Sequence, residues 1–562
     1  VNLISRVGLG ILILLSLLGC SGKSSPIVSS TNKNLTAFAN AIDIFGGNAD
    51  STGFQPSYHD VALSQIRTYG NETGVFINNG TFAVTLNRDG DINPNDEFKP
   101  VFRWLDAADA QVNPNDPPRY VAERDFIDDN NTFDYRALNC DSIFNVNTQN
   151  GSDLASNPYI IRVLEVVVCY QIRENPQDDW DIGVTELRWI EYDDPINNEN
   201  DYDDVDHFWE KEPSSRQDVI FDEWTDGIIT DMDHDEYNPD IAYDFDNGDI
   251  YLVYTNVENN PNHQVLKYRY LQRNQAFPAI NNENYAQDDI TGHNAFDPCI
   301  DIGKITVNNN PLFQDQQTVA IAYTSQFHDP GGGRHKGFHV NVSYWPVDYS
   351  RVDHDFVAPM MNRNFPFVDA GLPSLDIAPE WNATNGGVLT YTQVEGSDGF
   401  GLITGVYAVG MLGQLADLET HFRISDPNDQ DPLGENQAYD DGMYSSISCN
   451  QQLGDITFSV TFLHQQDVDN IWIPHVAGLT FTPAVLEPVY IPSQWNIDFD
   501  QWIPNTVDVI GNFNVSEIPF INPGISSAIF VDPFNNYWAA WSDRTEMEPP
   551  PQLIQAAWGN AQ

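Results

Sequence analysis

Two near-constant intervals constrain this chain more than any other feature. Short β-branched and aromatic runs come in pairs: Thr81–Asn87 with Glu97–Trp104, Glu165–Tyr170 with Asp181–Trp189, Asp249–Tyr254 with Gln264–Tyr270, and Thr318–Tyr323 with Phe338–Tyr344. Three further pairs are Gly387–Tyr391 with Leu402–Tyr407, Asp455–Val460 with Asn470–His475, and Asn536–Trp541 with Gln552–Trp558. Starts within a pair differ by 16, 16, 15, 20, 15, 15 and 16 residues, and starts of successive pairs by 84, 84, 69, 69, 68 and 81. Runs of this kind between Asn, Asp, Gly and Pro clusters are strand signals, and long helical periodicity is scarce. The chain reads as all-β. The longest hairpin carries the turn insertion Asp329-Pro-Gly-Gly-Gly-Arg334, and Pro100 interrupts the second strand of the first pair.

A further strand precedes several pairs, at Asn238–Tyr243, Asp297–Ile302, Pro373–Ile377 and Ser445–Cys449, and an acidic stretch with room for an outer strand follows. Four antiparallel strands per unit, repeated radially, make a β-propeller. The almost continuously apolar strand interiors fit sheets covered on both faces. The expectation is a single propeller of seven four-stranded blades, with six or eight as alternatives and a chain of β-sandwich domains as the competing architecture. The last pair ends at Trp558, so the segment around 34–45 is expected to add the missing outer strand and close the ring, removing exposed edges.

Ahead of that body, Arg6 flanks a short apolar core from Val7 to Leu18, which is too short for a membrane span and fits a secretory signal. The ending Leu17-Leu18-Gly19-Cys20 resembles the lipobox of bacterial lipoproteins. That resemblance implies cleavage before Cys20, lipidation of its thiol, and an export route ending in the cell envelope, with Ser21 pointing to the outer membrane. The expected division is therefore a signal over 1–19, a Ser/Thr/Asn-rich tether over 20–33, and the propeller over 34–562. The blades resemble the WD40-like propellers of the TolB type in Asn238-Pro-Asp-Ile-Ala-Tyr243 followed by Asn247-Gly-Asp-Ile-Tyr-Leu-Val-Tyr254. Here the repeat is longer than the roughly 40–45 residues of a WD40 blade. The resemblance implies fold and compartment and lends no catalytic residue.

With 25 basic against 82 acidic residues the formal charge is −57, which repels nucleic acid and attracts divalent cations or a cationic partner. A hydrophobic content of 41% is enough to build a core, so the charge does not imply disorder. Besides Cys20, four cysteines remain and no Cys-x-x-Cys occurs. An exported chain permits a disulfide, and Cys140 with Cys169 is the expected bridge between neighbouring strands of one blade. Cys299 and Cys449 are read as buried thiols at equivalent positions two units apart.

For chemistry, Asp89, Asp91, Asn93 and Asn95 place oxygen ligands at alternate positions, an arrangement that can wrap Ca²⁺, although Pro94 and Pro100 rule out an EF-hand. The alternative is an Asx-Pro turn, repeated at Asn113 and Asp426. Trp180, Trp209 and Trp224 lie among acids, where they can stack on sugars or pack between blades. Arg334 and His335 form the most basic spot. His335 and His339 stand about 13 Å apart on a strand, too far to share a metal. There is no Gly-x-Ser-x-Gly, His-Glu-x-x-His or P-loop. The expectation is an envelope-anchored binding or scaffold module, held at the membrane by its lipid, for a protein or glycan partner. The alternative is a glycan-active hydrolase or lyase with paired carboxylates at the channel mouth.

Overall fold

A computed structural model describes the strands between Ile42 and Asn560 with short flanks, and describes side chains for parts of 139–184, 235–270, 294–347, 369–425 and 442–481. The segments expected to be signal and tether, including Cys20, lie outside the described residues. Nearly all described regular structure is strand, and the all-β expectation holds.

The described strands form seven sheets whose long strands all pair antiparallel. Sheet I runs Gln55–Gln65, Gly80–Arg88, Phe98–Asp106, Arg119–Asp125. Sheet II runs Asp134–Asn145, Ile160–Arg173, Asp181–Asp193, Val205–Lys211, with Arg67–Thr68 added parallel to its first strand. Sheet III runs Glu236–Tyr243, Ile250–Val257, Gln264–Leu271, Asn284–Gln287, and sheet IV His293–Lys304, Gln317–Phe327, Phe338–Pro346, Met361–Phe365. Sheet V runs Ala370–Ile377, Gly387–Ser397, Leu402–Met411, His421–Arg423, and sheet VI Gly442–Gln452, Asp455–Gln465, Trp472–Thr482, Gln494–Trp502. Sheet VII takes Ser527–Val531, Asn536–Arg544 and Gln552–Asn560 from one end of the chain, and Ile42–Asp43 from the other. Ile42 pairs with Ala556 there, inside the segment expected to complete the last unit. Pro100 is tolerated because it pairs with Leu86 beyond the end of the neighbouring outer strand, whose ladder stops at Val101. Its missing N–H breaks no bond on that side.

The first strands are successive neighbours, from Gln55–Gln65 through each later sheet to Ser527–Val531, which again contacts Gln55–Gln65. One apolar cluster fills each described inter-sheet space. Val167, Cys169, Tyr243 and Leu252 join sheets II and III, whereas Tyr251, Val253, Ile302 and Ile321 join III and IV. Ala322, Val340, Ile377 and Tyr391 join IV and V, and Val406, Phe422, Phe458 and Phe481 join V and VI. A strand such as Ile250–Val257 is buried along nearly its whole length because consecutive side chains enter different interfaces.

A second seam is polar. Asp141 Oδ2 accepts from the Tyr243 N–H at 2.8 Å, Asp301 Oδ2 from Ile377 at 2.5 Å, and Asp376 Oδ2 from Cys449 at 2.7 Å. Two residues earlier in their strands, Asp240 Oδ2 accepts from Ile300 at 2.7 Å and Ser374 Oγ from Ile447 at 3.3 Å. Each bond runs from one first strand to the next. Some of the acidic excess therefore serves as acceptors between sheets, where charge-assisted bonds are stronger than neutral ones.

The disulfide expectation is corrected: Cys140 and Cys169 are free buried thiols. Their strands do pair, but Cys140 stands opposite Val168, and Cys169 opposite Asn139. Alternate residues face opposite sides of a sheet, so the two thiols point apart. Cys169 Sγ instead donates to the Asn139 carbonyl at 3.6 Å. Burial pushes both thiols well above the usual range. Cys299 and Cys449 are also free, but not at equivalent positions. Cys299 lies two residues past Asp297 and Cys449 five past Tyr444, and these two residues mark the same place in their strands.

Candidate functional site

The first strand of each sheet from I to VI carries a β-bulge, seen as a register break against the second strand. In sheets III to VI the bulge opens with a non-glycine residue in the left-handed region: Asn238 at φ 49°, Asp297 at 49°, Leu372 at 53° and Tyr444 at 56°. Pro239, Pro298 and Pro373 follow three of them. Proline fits there because the extra residue of a bulge needs no ladder N–H. A left-handed Leu or Tyr costs about 1–2 kcal/mol, so something must hold it.

The hold is a side-chain oxygen on the second strand of the preceding sheet. The Asn238 N–H donates to Gln171 Oε1 at 3.3 Å, the Leu372 N–H to Thr324 Oγ1 at 3.1 Å, and the Tyr444 N–H to Thr392 Oγ1 at 3.3 Å. Those acceptors occupy one repeating position, in Tyr170-Gln171, Tyr323-Thr324 and Tyr391-Thr392. The fourth member of the series is Tyr254-Thr255, which precedes Asp297. Here the pattern breaks. Thr255 Oγ1 is buried without a hydrogen-bond partner, and so is Asp297 Oδ2.

Asp297 Oδ1 accepts from Asn238 Nδ2 at 2.5 Å. Burial pushes its carboxyl up to about 7, against the opposing pull of the Asn238 bond. Tyr444, buried at 7% exposure, has its phenol raised first by burial and then by the charge of Asp297. Sheet V stands between these residues in the order of sheets. The charge of Asp297 thus reaches a residue two sheets away. The site is a carboxyl near half-protonation at neutral pH, with one oxygen held by the Asn238 amide and the other unpaired. A carboxyl in that state can give up a proton as well as accept a hydrogen bond. Asp240 is also raised to about 7 by burial, but its two oxygens accept from Asn139, Ile241 and Ile300, so its role is structural.

Of the residues singled out from sequence, Trp180 is placed in full. It is 6% exposed, Arg173 lies over its ring at 4.2 Å, its N–H donates to Asp235 Oδ1 and its carbonyl accepts from the Glu236 N–H. A sugar platform needs an open face, and this ring is covered. Trp180 holds the start of sheet III. Trp209 lies in the outer strand of sheet II opposite Trp189. Trp224, Arg334, His335, Asp89, Asp91, Asn93 and Asn95 lie outside the described residues. Among the described residues no group of three or more His, Cys, Asp or Glu is arranged to hold a metal. Asp297 was legible only as the start of a strand. The available signal was the recurring residue-Pro step at 238, 297 and 372, with a polar side chain at two of the three.

No family model matches the chain, and no curated protein matches it. Among solved structures it is similar to an α-L-arabinanase of Penicillium chrysogenum, at 10% identity and TM-score 0.38 over 78% of this chain and 98% of that one. It is also similar to a Hadza microbial sialidase, at 11% identity and TM-score 0.30 over 83% and 73%. A third is a subtype N11 neuraminidase-like protein from a flat-faced bat virus, at 7% and 0.30 over 96% and 98%. At such scores these likenesses assign no residue and no substrate. The binding or scaffold module expected from the sequence is corrected only to this extent, that the similar structures are an arabinanase, a sialidase and a neuraminidase-like protein.

Proposed function

We propose that the chain is a glycan-active hydrolase built on a seven-bladed β-propeller, with Asp297 as the acid that protonates the departing glycosidic oxygen while water adds to the anomeric carbon and releases its proton to solvent. The seven-bladed reading is supported by the cyclic succession of first strands and by the pairing of Ile42–Asp43 with the last strand. Both features fit a ring closed by pairing the two ends of the chain in one blade. The lipobox reading adds an envelope anchor at Cys20, a short tether from the closing sheet, and the ring displayed at the membrane surface.

The observation that carries the enzymatic reading is the state of Asp297. Its carboxyl is raised to about 7, one oxygen is fixed by Asn238, and the other is buried and unpaired. A general acid must hold its proton at working pH, and a carboxyl raised to about 7 does so. The test is release of reducing ends from polysaccharides by the full chain and by Asp297→Asn across about pH 5 to 9. The rate should fall on the alkaline limb near pH 7, and the variant should lose at least about a hundredfold below pH 7, with the gap narrowing toward pH 9. Equal turnover by the variant would refute the assignment.

A further inference from the structure

We infer that the fourth strand of sheet V, His421–Arg423, is an acid-released latch, docked by a bond between the Tyr391 hydroxyl and His421 Nδ1 and undocked when that nitrogen takes a proton. This strand is three residues long and meets the third strand in three pairs, Tyr407 with Arg423, Ala408 with Phe422 and Val409 with His421. Past its end, the Ile424 N–H donates to the Val406 carbonyl at 2.7 Å, and Ser425 Oγ accepts from the Val406 N–H at 3.0 Å. Side chains alternate along it. Phe422 and Ile424 enter the apolar space against sheet VI, so His421 and Arg423 face sheet IV. Tyr391 lies on that same face, fully buried in one cluster with Ala320, Ala322, Val340 and Val342. Its ring stacks on Tyr407 at 5.8 Å, and its hydroxyl reaches past the third strand to lie 2.7 Å from His421 Nδ1. The His421 ring stands edge-on to it at 5.9 Å. The latch is independent of the hydrolase reading.

The direction of the bond follows from what the hydroxyl needs. A buried phenol has one proton to donate, and leaving it without an acceptor costs the full desolvation of that group. The arrangement that satisfies it has Tyr391 donating to Nδ1, with the imidazole neutral and its own proton on Nε2. A second proton turns Nδ1 into a donor, so the hydroxyl must reverse and its proton loses that acceptor. The added charge is also disfavoured. Burial pushes the His421 imidazole below its ordinary value of 6.5. Arg423 stands two residues along the same face, about 7 Å on an extended strand. Tyr391 and Tyr407 face His421 from the second and third strands of sheet V. From sheet IV, Arg363 holds the register position opposite Val342, and Tyr344 lies two residues beyond Val342. Phenols are neutral and guanidiniums cationic between about pH 5 and 8, so none of these groups favours an imidazolium. The docked strand therefore binds this proton less tightly than the undocked one. The stabilisation is complete above about pH 6.5 and is lost as pH falls from there toward the lower folded value, each unit favouring the undocked strand by up to about tenfold.

The experiment is hydrogen exchange read by mass spectrometry on the full chain in mild detergent, at about pH 7.5 and about pH 5.5, corrected for the intrinsic exchange rate. The peptide spanning 421–425 should lose roughly fivefold in protection at the lower pH. His421→Asn keeps a side-chain oxygen to accept at the Nδ1 position and cannot ionise, so its protection should be the same at both. Asp240 and Asp297 titrate over this range in both proteins and cancel in the comparison. Tyr391→Phe removes the hydroxyl and should lower the protection of this peptide already at the higher pH, and it carries the test if the asparagine variant does not fold. Wild-type protection that ignores pH would overturn the inference. So would an equal acid loss in His421→Asn, or a Tyr391→Phe protein that exchanges like the wild type at both pH values. Loss spread evenly over every sheet would overturn it too, because that is opening of the whole protein and not release of one strand.

Discussion

Replacing Asp297 by Asn should change how stability depends on pH more than it changes stability itself. The carboxyl is raised from 3.8 to about 7 in the folded protein. The folded state therefore binds the proton more tightly than the unfolded chain. Its favourable contribution is complete below about pH 4 and is lost progressively as pH rises through 7. Three pKa units correspond to about 4 kcal/mol, and the partly exposed edge of the side chain makes this an upper figure. The substituted amide cannot ionise, keeps an acceptor for Asn238 and carries no such penalty. Asp240 is raised to a similar degree, but it titrates in both proteins and cancels in the difference. The assay is guanidinium unfolding of the wild type and Asp297→Asn at several pH values. The difference should move in favour of the variant by up to about 4 kcal/mol between pH 4 and pH 8. Parallel curves would mean that Asp297 is not buried in a raised state, and the proposed acid would fall with it.

Other expectations follow from packing and from the polar seam. A Cβ at Gly410 would lie 2.3 Å from the ring of Phe481, which is fully buried between sheets V and VI. Gly410→Ala should therefore cost about 1–3 kcal/mol, read as a lowered melting temperature. Asp376→Ala strands the Cys449 N–H in a buried seam and should cost about 1–3 kcal/mol in denaturant unfolding. Thr392→Val removes the acceptor that holds left-handed Tyr444 and should cost about 1 kcal/mol, while Thr255→Val, which loses no bond, should be close to neutral in stability. Thiol titration of unreduced, unfolded protein should detect Cys140, Cys169, Cys299 and Cys449 as four free thiols, and native protein should react slowly because burial keeps the thiols protonated.

The intervals of the sequence were enough to read the repeating unit, because strands and tight turns have nearly fixed lengths and leave a period that no tertiary contact can disguise. Runs such as Asp249–Tyr254 were legible as doubly buried strands, and the segment containing Ile42 as a partner for the last unit, since both follow from local pattern and from the need to pair edges. Which side of a sheet a residue faces was not legible to that accuracy. Cys140 and Cys169 sit on paired strands as expected, yet a one-residue offset in register turns their thiols to opposite faces. Trp180 among its acids looked like a platform, and only the fold brings Arg173 over its ring. Asp297 reads as one carboxylate among 82 acidic residues. It becomes distinct only where a bulge and the Asn238 side chain of a neighbouring sheet surround it, because a pKa is set by surroundings that lie far apart in the chain.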